Sequence, residues 1–205
     1  MEPYKVLVWG DSIARQNETP WPELCRRSLD VSCYPGRPVE FTNIAQCGLA
    51  AVIGQHFFEE KVRPVQPDLV IIQFGFNDLR HESTNNGAPI GTPDAYEEAI
   101  RSMIRNSRSI GAEVLVLGNH NFSFGSIKMY PTGLNGDETV ELYRQRAKKA
   151  AETEGASYIN MAEIVLSLGL TMRDITYDGC HLSNDGMSIY CATVCHFIQK
   201  RIFGW

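Results

Sequence analysis

Leu69-Val70-Ile71-Ile72-Gln73-Phe74 is the stretch that decides the fold. It follows a loop bracketed by Pro64 and Pro67, and it runs into Gly75-Phe76-Asn77-Asp78. A continuous apolar, β-branched run of this kind reads as a central parallel strand covered on both faces, because a half-exposed strand would alternate. Upstream, Lys5 to Trp9 is a second apolar run, too short for a helix and ended by Gly10. Trp21 to Leu29 has helical spacing, Val39 to Ile44 reads as a strand, and a helical stretch is expected from Leu49 to Val62. Downstream, Thr92-Pro93 opens a helix with Thr as N-cap and Pro at the first helical position. Its apolar stripe is Tyr96, Ala99, Ile100, Met103 and Ile104. A strand from Glu113 to Leu117 follows, then a helix carrying Val140, Tyr143, Ala147, Ala150 and Ala151. A short strand near Tyr158-Ile159 and a long helix from Asp185 complete the chain. Strands interleaved with helices predict an α/β fold, a three-layer αβα arrangement around a five-stranded parallel sheet.

Composition bounds the function. The chain has 205 residues, 43% of them hydrophobic and 21% charged, which suits one globular domain spanning residues 1–205. Nineteen Lys and Arg against 24 Asp and Glu give a net charge of −5, which argues against a nucleic-acid binder. No apolar run approaches the roughly 20 residues of a membrane span. The sequence enters a strand-like run at Tyr4, with no signal peptide before it, so the expected location is cytoplasmic. Of the six cysteines, Cys191 and Cys195 fall on the stripe Met187, Tyr190, Cys191, Val194, Cys195, Ile198, Ile202, and Cys25 sits with Trp21, Leu24 and Leu29. They read as reduced and structural, small hydrophobes in helix seams. No Cys-x-x-Cys pair or Cys/His set with zinc spacing occurs, so no metal is expected.

In a parallel α/β sheet, ligands bind beyond the carboxyl ends of the strands. The residues there are Gly10-Asp11-Ser12-Ile13, Asn43 with Gly48, Gly75-Phe76-Asn77-Asp78, Gly118-Asn119-His120-Asn121, and Asp178-Gly179-Cys180-His181. A hydroxyl, an imidazole, a carboxylate and an amide are what acyl transfer requires. A serine is a poor nucleophile until a histidine takes its proton, and that histidine needs its other nitrogen held. Asp178, three residues before His181, can fold back onto the ring and leave Nε2 for Ser12. The Ser12 and Gly48 backbone N–H groups and the Asn77 amide can supply an oxyanion hole.

These blocks resemble those of the SGNH hydrolases, the GDSL esterase/lipase family. Gly10-Asp11-Ser12-Ile13 resembles the first block, with Ile in place of Leu. Asn43 with Gly48 resembles the second, Gly75-x-Asn77-Asp78 the third and Asp178-x-x-His181 the last, in order over nearly the whole chain. The resemblance implies a flavodoxin-like fold, Ser12 as nucleophile, His181 as base, Asp178 as its orienting partner, and Ser12, Gly48 and Asn77 as the oxyanion hole, with no cofactor. Leu49 departs from the polar residue common among relatives and is expected to alter the pocket rim.

Around this set, Asp11 and Asp78 read as structural, Asp11 bonding the amides near Ser12 and Asp78 fixing the loop of Asn77. His120, Phe122 and Tyr130 are candidates to line the substrate cleft, although His120 equally reads as a satisfied structural histidine. His56, His81 and His196 are given no role. Cys47 and Cys180 flank the site, but Ser12 is the better placed nucleophile. No phosphate-cradling Gly-x-x-x-x-Gly-Lys-Ser/Thr or Gly-x-Gly-x-x-Gly is present, which removes a nucleotide binder. A non-catalytic binding module of the same fold would have been free to lose Ser12, Asn77 or His181. The loop from Asn119 to Gly136 carries Phe122, Phe124 and Tyr130 amid Asn and Gly, and Trp21-Pro22 is expected near the first block. Such rings suit a sugar face and would equally pack the loop. The expected activity is a serine esterase acting through an acyl-enzyme on short-chain, O-acetyl esters of carbohydrates or other small polar molecules. A lysophospholipase or thioesterase is the alternative.

Overall fold

The structure is a computed structural model; it describes residues 2–16, 18–31, 37–81, 87–122 and 133–203, the backbone alone at residues 30, 31 and 203. Strands β1 (Tyr4–Gly10), β2 (Val39–Asn43), β3 (Leu69–Gln73), β4 (Glu113–Gly118) and β5 (Ser157–Asn160) form an all-parallel sheet in the order β2-β1-β3-β4-β5. This is the flavodoxin-like order. The helices are α1 (Trp21–Val31), α2 (Ala51–Gly54), α3 (Pro93–Ser109), α4 (Gly136–Glu154), α5 (Met161–Ser167), α6 (Met172–Ile175) and α7 (Asn184–Phe203). Parallel crossovers are right-handed, so a chain that steps from β1 out to β2 and then back past β1 to β3 must place the two connections on opposite faces. Accordingly α1 packs on α7, while α2 and α4 both pack on α3. The expected three layers result. Among the described residues, no helix is long and apolar enough to cross a membrane.

The reading of Leu69 to Phe74 holds. Leu69, Val70, Ile71 and Ile72 are fully buried, and each such side chain is worth about 1.5–3 kcal/mol when removed from water. Tyr96, Ala99, Ile100, Met103 and Ile104 are buried on α3, and Val140, Tyr143, Ala147, Ala150 and Ala151 on α4. Thr92 caps α3 by accepting from the Ala95 amide at 3.3 Å. At α4, Asn135 and Glu138 form a reciprocal capping box, and Gly155 closes the helix.

The stretch expected as one helix from Leu49 to Val62 is different. Leu49 and Ala50 belong to the preceding loop, and Leu49 packs into the core instead of the pocket rim. The helix starts at Ala51, then passes through 3-10 turns at Gln55–Phe57 and Arg63–Val65 with a π turn at Phe58–Val62 between them. Pro64 has no N–H to continue an α-helical ladder. Helices α5 and α6 lie between β5 and the site loop, where the sequence offers too few turns for a periodic signal.

Gly10 ends β1 opposite Gln73 of β3. A Cβ there would stand 2.8 Å from the Gln73 carbonyl oxygen, a backbone atom with no freedom to yield. Gly10→Ala is therefore expected to part the central strands just before Ser12 and to destabilise the fold by about 1–3 kcal/mol. Denaturant unfolding measures this; a variant as stable as the parent chain would show that the close approach is dispensable.

Candidate active site

Ser12 opens a 3-10 turn, Ser12–Ala14, directly after β1. Asp11 caps that turn: its Oδ1 accepts from the Ile13 amide at 3.0 Å, and its own amide donates to the Gln73 carbonyl at 3.3 Å. Asp11 is fully buried, and burial pushes its carboxyl up to about 7 despite the Ile13 amide. The turn holds the Ser12 hydroxyl 3.1 Å from His181 Nε2. His181 arrives from the loop before α7. There Asp178 Oδ1 accepts from the Cys180 amide at 2.9 Å and the His181 amide at 2.7 Å, folding the loop back on itself. Its other oxygen, Oδ2, then meets His181 Nδ1 at 2.6 Å. Burial alone would raise the Asp178 carboxyl, but the His181 ring and the two amides overcome it and hold it below the usual range. A carboxylate that accepts the Nδ1 proton fixes the tautomer, leaving the Nε2 lone pair directed at the hydroxyl. The structure thus brings Ser12, His181 and Asp178 into one hydrogen-bonded series.

Gly48 sits in the loop after β2 with φ at +77°, a backbone conformation that glycine adopts freely. Asn77 follows β3 by four residues, half-buried. Asp78 ties these two loops together. Its Oδ2 accepts from the Ala51 amide at 2.8 Å and its Oδ1 from the Val52 amide at 3.2 Å, so it caps α2 from the loop after β3. Burial pushes this carboxyl up to about 6, the two amides opposing. The β2 exit is tied to the serine turn in turn: Asn43 Nδ2 donates to the Ala14 carbonyl at 2.8 Å while its Oδ1 accepts from Ala45. Among the described residues, the backbone N–H groups of Ser12 and Gly48 and the Asn77 side-chain amide have no hydrogen bond within the protein.

The remaining candidates separate clearly. Phe122 is half-buried and stacks on Phe76 with centroids 4.5 Å apart, against the loop that carries Asn77. Tyr130 and Phe124 lie outside the described residues. Trp21, expected near the first block, is a core residue packed on Tyr190 of α7. Cys180 is no thiolate, because burial and the nearby Asp11 and Asp178 push its thiol up to about 12. Two residues escaped the sequence reading. Gln73, the polar residue of β3, donates from Nε2 to Asn119 Oδ1 at 2.6 Å and to Asp11 Oδ1 at 3.3 Å. Tyr177 is exposed beside Asp178 and lies nearly parallel to the His181 ring, 6.0 Å away. An interruption of the apolar run at Gln73 was the available signal for the first; the second had none.

A hydroxyl, an imidazole and a carboxylate in series at the switch point of a parallel sheet define the class of hydrolytic enzymes with an SGNH-type site. The chain matches the GDSL-like Lipase/Acylhydrolase family over residues 8–189 and belongs to it. It is a carboxylic ester hydrolase. Among solved structures it is similar to a lipase/acylhydrolase from Enterococcus faecalis, 20% identical over 98% of this chain and 97% of that one, with a TM-score of 0.79. It is similar to an acetylxylan esterase from Geobacillus stearothermophilus, 18% identical over 96% and 94%, TM-score 0.78. A further acetyl xylan esterase is 19% identical over 95% and 99%, TM-score 0.79. The chain matches no curated protein sequence.

Of the two readings open for His120, the structure favours the structural one. The residue is fully buried and does not line a cleft. Its Nε2 donates to the Cys180 carbonyl at 2.7 Å, and its Nδ1 accepts from the Tyr190 hydroxyl at 2.9 Å. It thereby holds the loop of His181 from beneath. Burial, with the charges of Arg144 and His181 adding, pushes this imidazole down to about 4 despite the Cys180 carbonyl. The unfolded chain takes up this proton near the ordinary value of 6.5 and the folded chain near 4. The sign is then fixed: the contribution to stability is complete above about pH 6.5 and is lost as pH falls toward 4. Between pH 7 and pH 4 the parent chain should lose about 3 kcal/mol more stability than His120→Gln, which keeps a donor for the Cys180 carbonyl. Denaturant melts across that range measure the difference; parallel curves would remove His120 from the acid limb.

Proposed function

We propose that the chain is a serine esterase that works through an acyl-enzyme on O-acetyl and other short-chain esters of carbohydrates or similar small polar alcohols. The observation that carries this reading is the Ser12 Oγ to His181 Nε2 contact of 3.1 Å, backed by the 2.6 Å contact from His181 Nδ1 to Asp178. Ser12 attacks the ester carbonyl as His181 Nε2 takes its proton, and the same proton then passes to the departing alkoxide. Water, deprotonated by His181, releases the acid and restores Ser12. Asp178 stays ionised throughout and stabilises the imidazolium. The Ser12 and Gly48 amides and the Asn77 side chain receive the oxyanion in both halves of the cycle.

Three features support the short polar substrate. The His181 and Asp178 side chains keep 25% and 42% of their surface exposed, so the described walls of the site are low. A shallow site gains little from chain length, since each methylene is worth only about 0.8 kcal/mol even when fully buried. Tyr177, 54% exposed, offers a flat ring beside the imidazole on which a sugar could rest. Two of the similar structures are acetylxylan esterases, which favours the same reading.

Ser12→Ala should lower kcat by several orders of magnitude without changing the unfolding midpoint. The parent chain, and not that variant, should be labelled by a fluorophosphonate, which reacts with an activated serine. Undiminished turnover in Ser12→Ala, or no labelling of the parent chain, would overturn the mechanism. An acyl series from acetate to palmitate, run beside acetate release from acetylated xylan, tests the substrate. Preference for eight carbons or more with no acetate released would replace this reading with a lysophospholipase or thioesterase.

Asn77→Ala should depress kcat far more than it raises KM, because the oxyanion exists only at the tetrahedral stage. Steady-state kinetics on one short ester separates the two. A change confined to KM would place Asn77 in ground-state binding.

A further inference from the structure

Away from the catalytic edge, the seam between α1 and α7 gathers three thiols. Cys191 and Cys195 stand on successive turns of α7, and Cys25 faces them from α1, 166 residues away from the nearer of the two. The Cys191 and Cys195 sulfurs are 3.8 Å apart, and all three Sγ atoms lie within 4.8 Å of one another. All are free thiols, Cys25 fully buried and the other two 8% exposed, which leaves a route to the cluster from α7. We propose that Cys25, Cys191 and Cys195 form a three-sulfur binding site for copper(I).

The geometry carries this first. Metal–thiolate bonds of about 2.3 Å at trigonal or tetrahedral angles set neighbouring sulfurs about 3.8–4.0 Å apart. The Cys191–Cys195 pair already meets that spacing, and Cys25 needs a shift of less than an ångström. The donor set carries it second. Three thiols without an imidazole or carboxylate select a soft ion. The oxygens closest to the sulfurs are the Cys191 carbonyl, which accepts from Cys25 Sγ at 3.7 Å, and the Ser28 hydroxyl, 3.8 Å from Cys191 Sγ, both hard and weak ligands. Zinc prefers a fourth good donor, whereas copper(I) is satisfied by three sulfurs. On binding, each ligating S–H bond breaks, its proton passes to solvent and a Cu–S bond forms, with no change of oxidation state.

The test needs the other thiols removed. In a Cys33→Ser, Cys47→Ser, Cys180→Ser background, anaerobic titration with copper(I) against the chelator bicinchoninate should show one equivalent held by the protein. Adding Cys25→Ser, Cys191→Ser or Cys195→Ser should each weaken binding by at least tenfold. The same equivalent should shield all three thiols of the background protein from maleimide, a readout that does not depend on the serine variants folding. A background protein that takes up no more copper(I) than the chain lacking all three thiols, or whose thiols stay equally reactive with copper(I) present, would overturn the proposal.

Discussion

Parallel strands buried on both faces can carry polar groups only where they end. Here β3 is covered completely, and the order β2-β1-β3-β4-β5 reverses direction at β1. That reversal separates the two helical layers and opens a crevice at the carboxyl ends of β1 and β3. The serine turn follows one of these strands and the Asn77 loop the other. The serine turn and the Asn77 loop therefore leave adjacent strands, although 64 residues of chain, including α1, β2, α2 and β3, lie between the two residues.

Hydrogen bonds that cross from loop to loop then convert proximity into a fixed site. Asn43 joins the β2 exit to the serine turn, Asp78 joins the β3 loop to the start of α2, and Gln73 joins β3 to Asn119 after β4. His120 adds the last loop through the Cys180 carbonyl. These groups are not placed for stability. Asp11 and Asp78 have folded-state values raised to about 7 and about 6, so whatever they contribute is complete below the ordinary carboxylate range and declines as pH rises through those values. Near neutral pH the fold tolerates the cost of ionising two buried carboxyls. In return it gains loops that are already tied to one another before any ligand arrives.

Much of this was legible in the residues. The strand Leu69 to Phe74 announces itself by an unbroken apolar run, and polar blocks after glycine at strand ends are visible because nothing in a buried sheet would otherwise require them. Asp178 and His181 can be paired by spacing alone, since three residues on one turn suffice to fold a carboxylate onto a ring. What escaped depends on contacts between distant segments. The direction in which His120 points is set by Tyr190, 70 residues later, and not by its own loop. Leu49 turns inward because the loop's polar bonds are made by Asp78 to residues 51 and 52. The broken turns between Ala51 and Val65 leave no trace in hydrophobic spacing, as 3-10, α and π turns share apolar positions over so short a length.

Helix α7 links the catalytic edge to the rest of the molecule. One of its residues, Tyr190, supplies the hydroxyl that fixes His120, and the next, Cys191, belongs to the thiol cluster against α1. Trp21 at the start of α1 packs on the same tyrosine, its ring centroid 6.2 Å away. The chain of contacts from α1 through Tyr190 and His120 to the Cys180 carbonyl thus ends one residue from His181. The Tyr190 hydroxyl meets His120 twice, accepting from its amide at 3.4 Å and donating to its ring at 2.9 Å. The imidazole is held directly by Asp178, and the loop that carries it is tied to the helix seam through the Cys180 carbonyl.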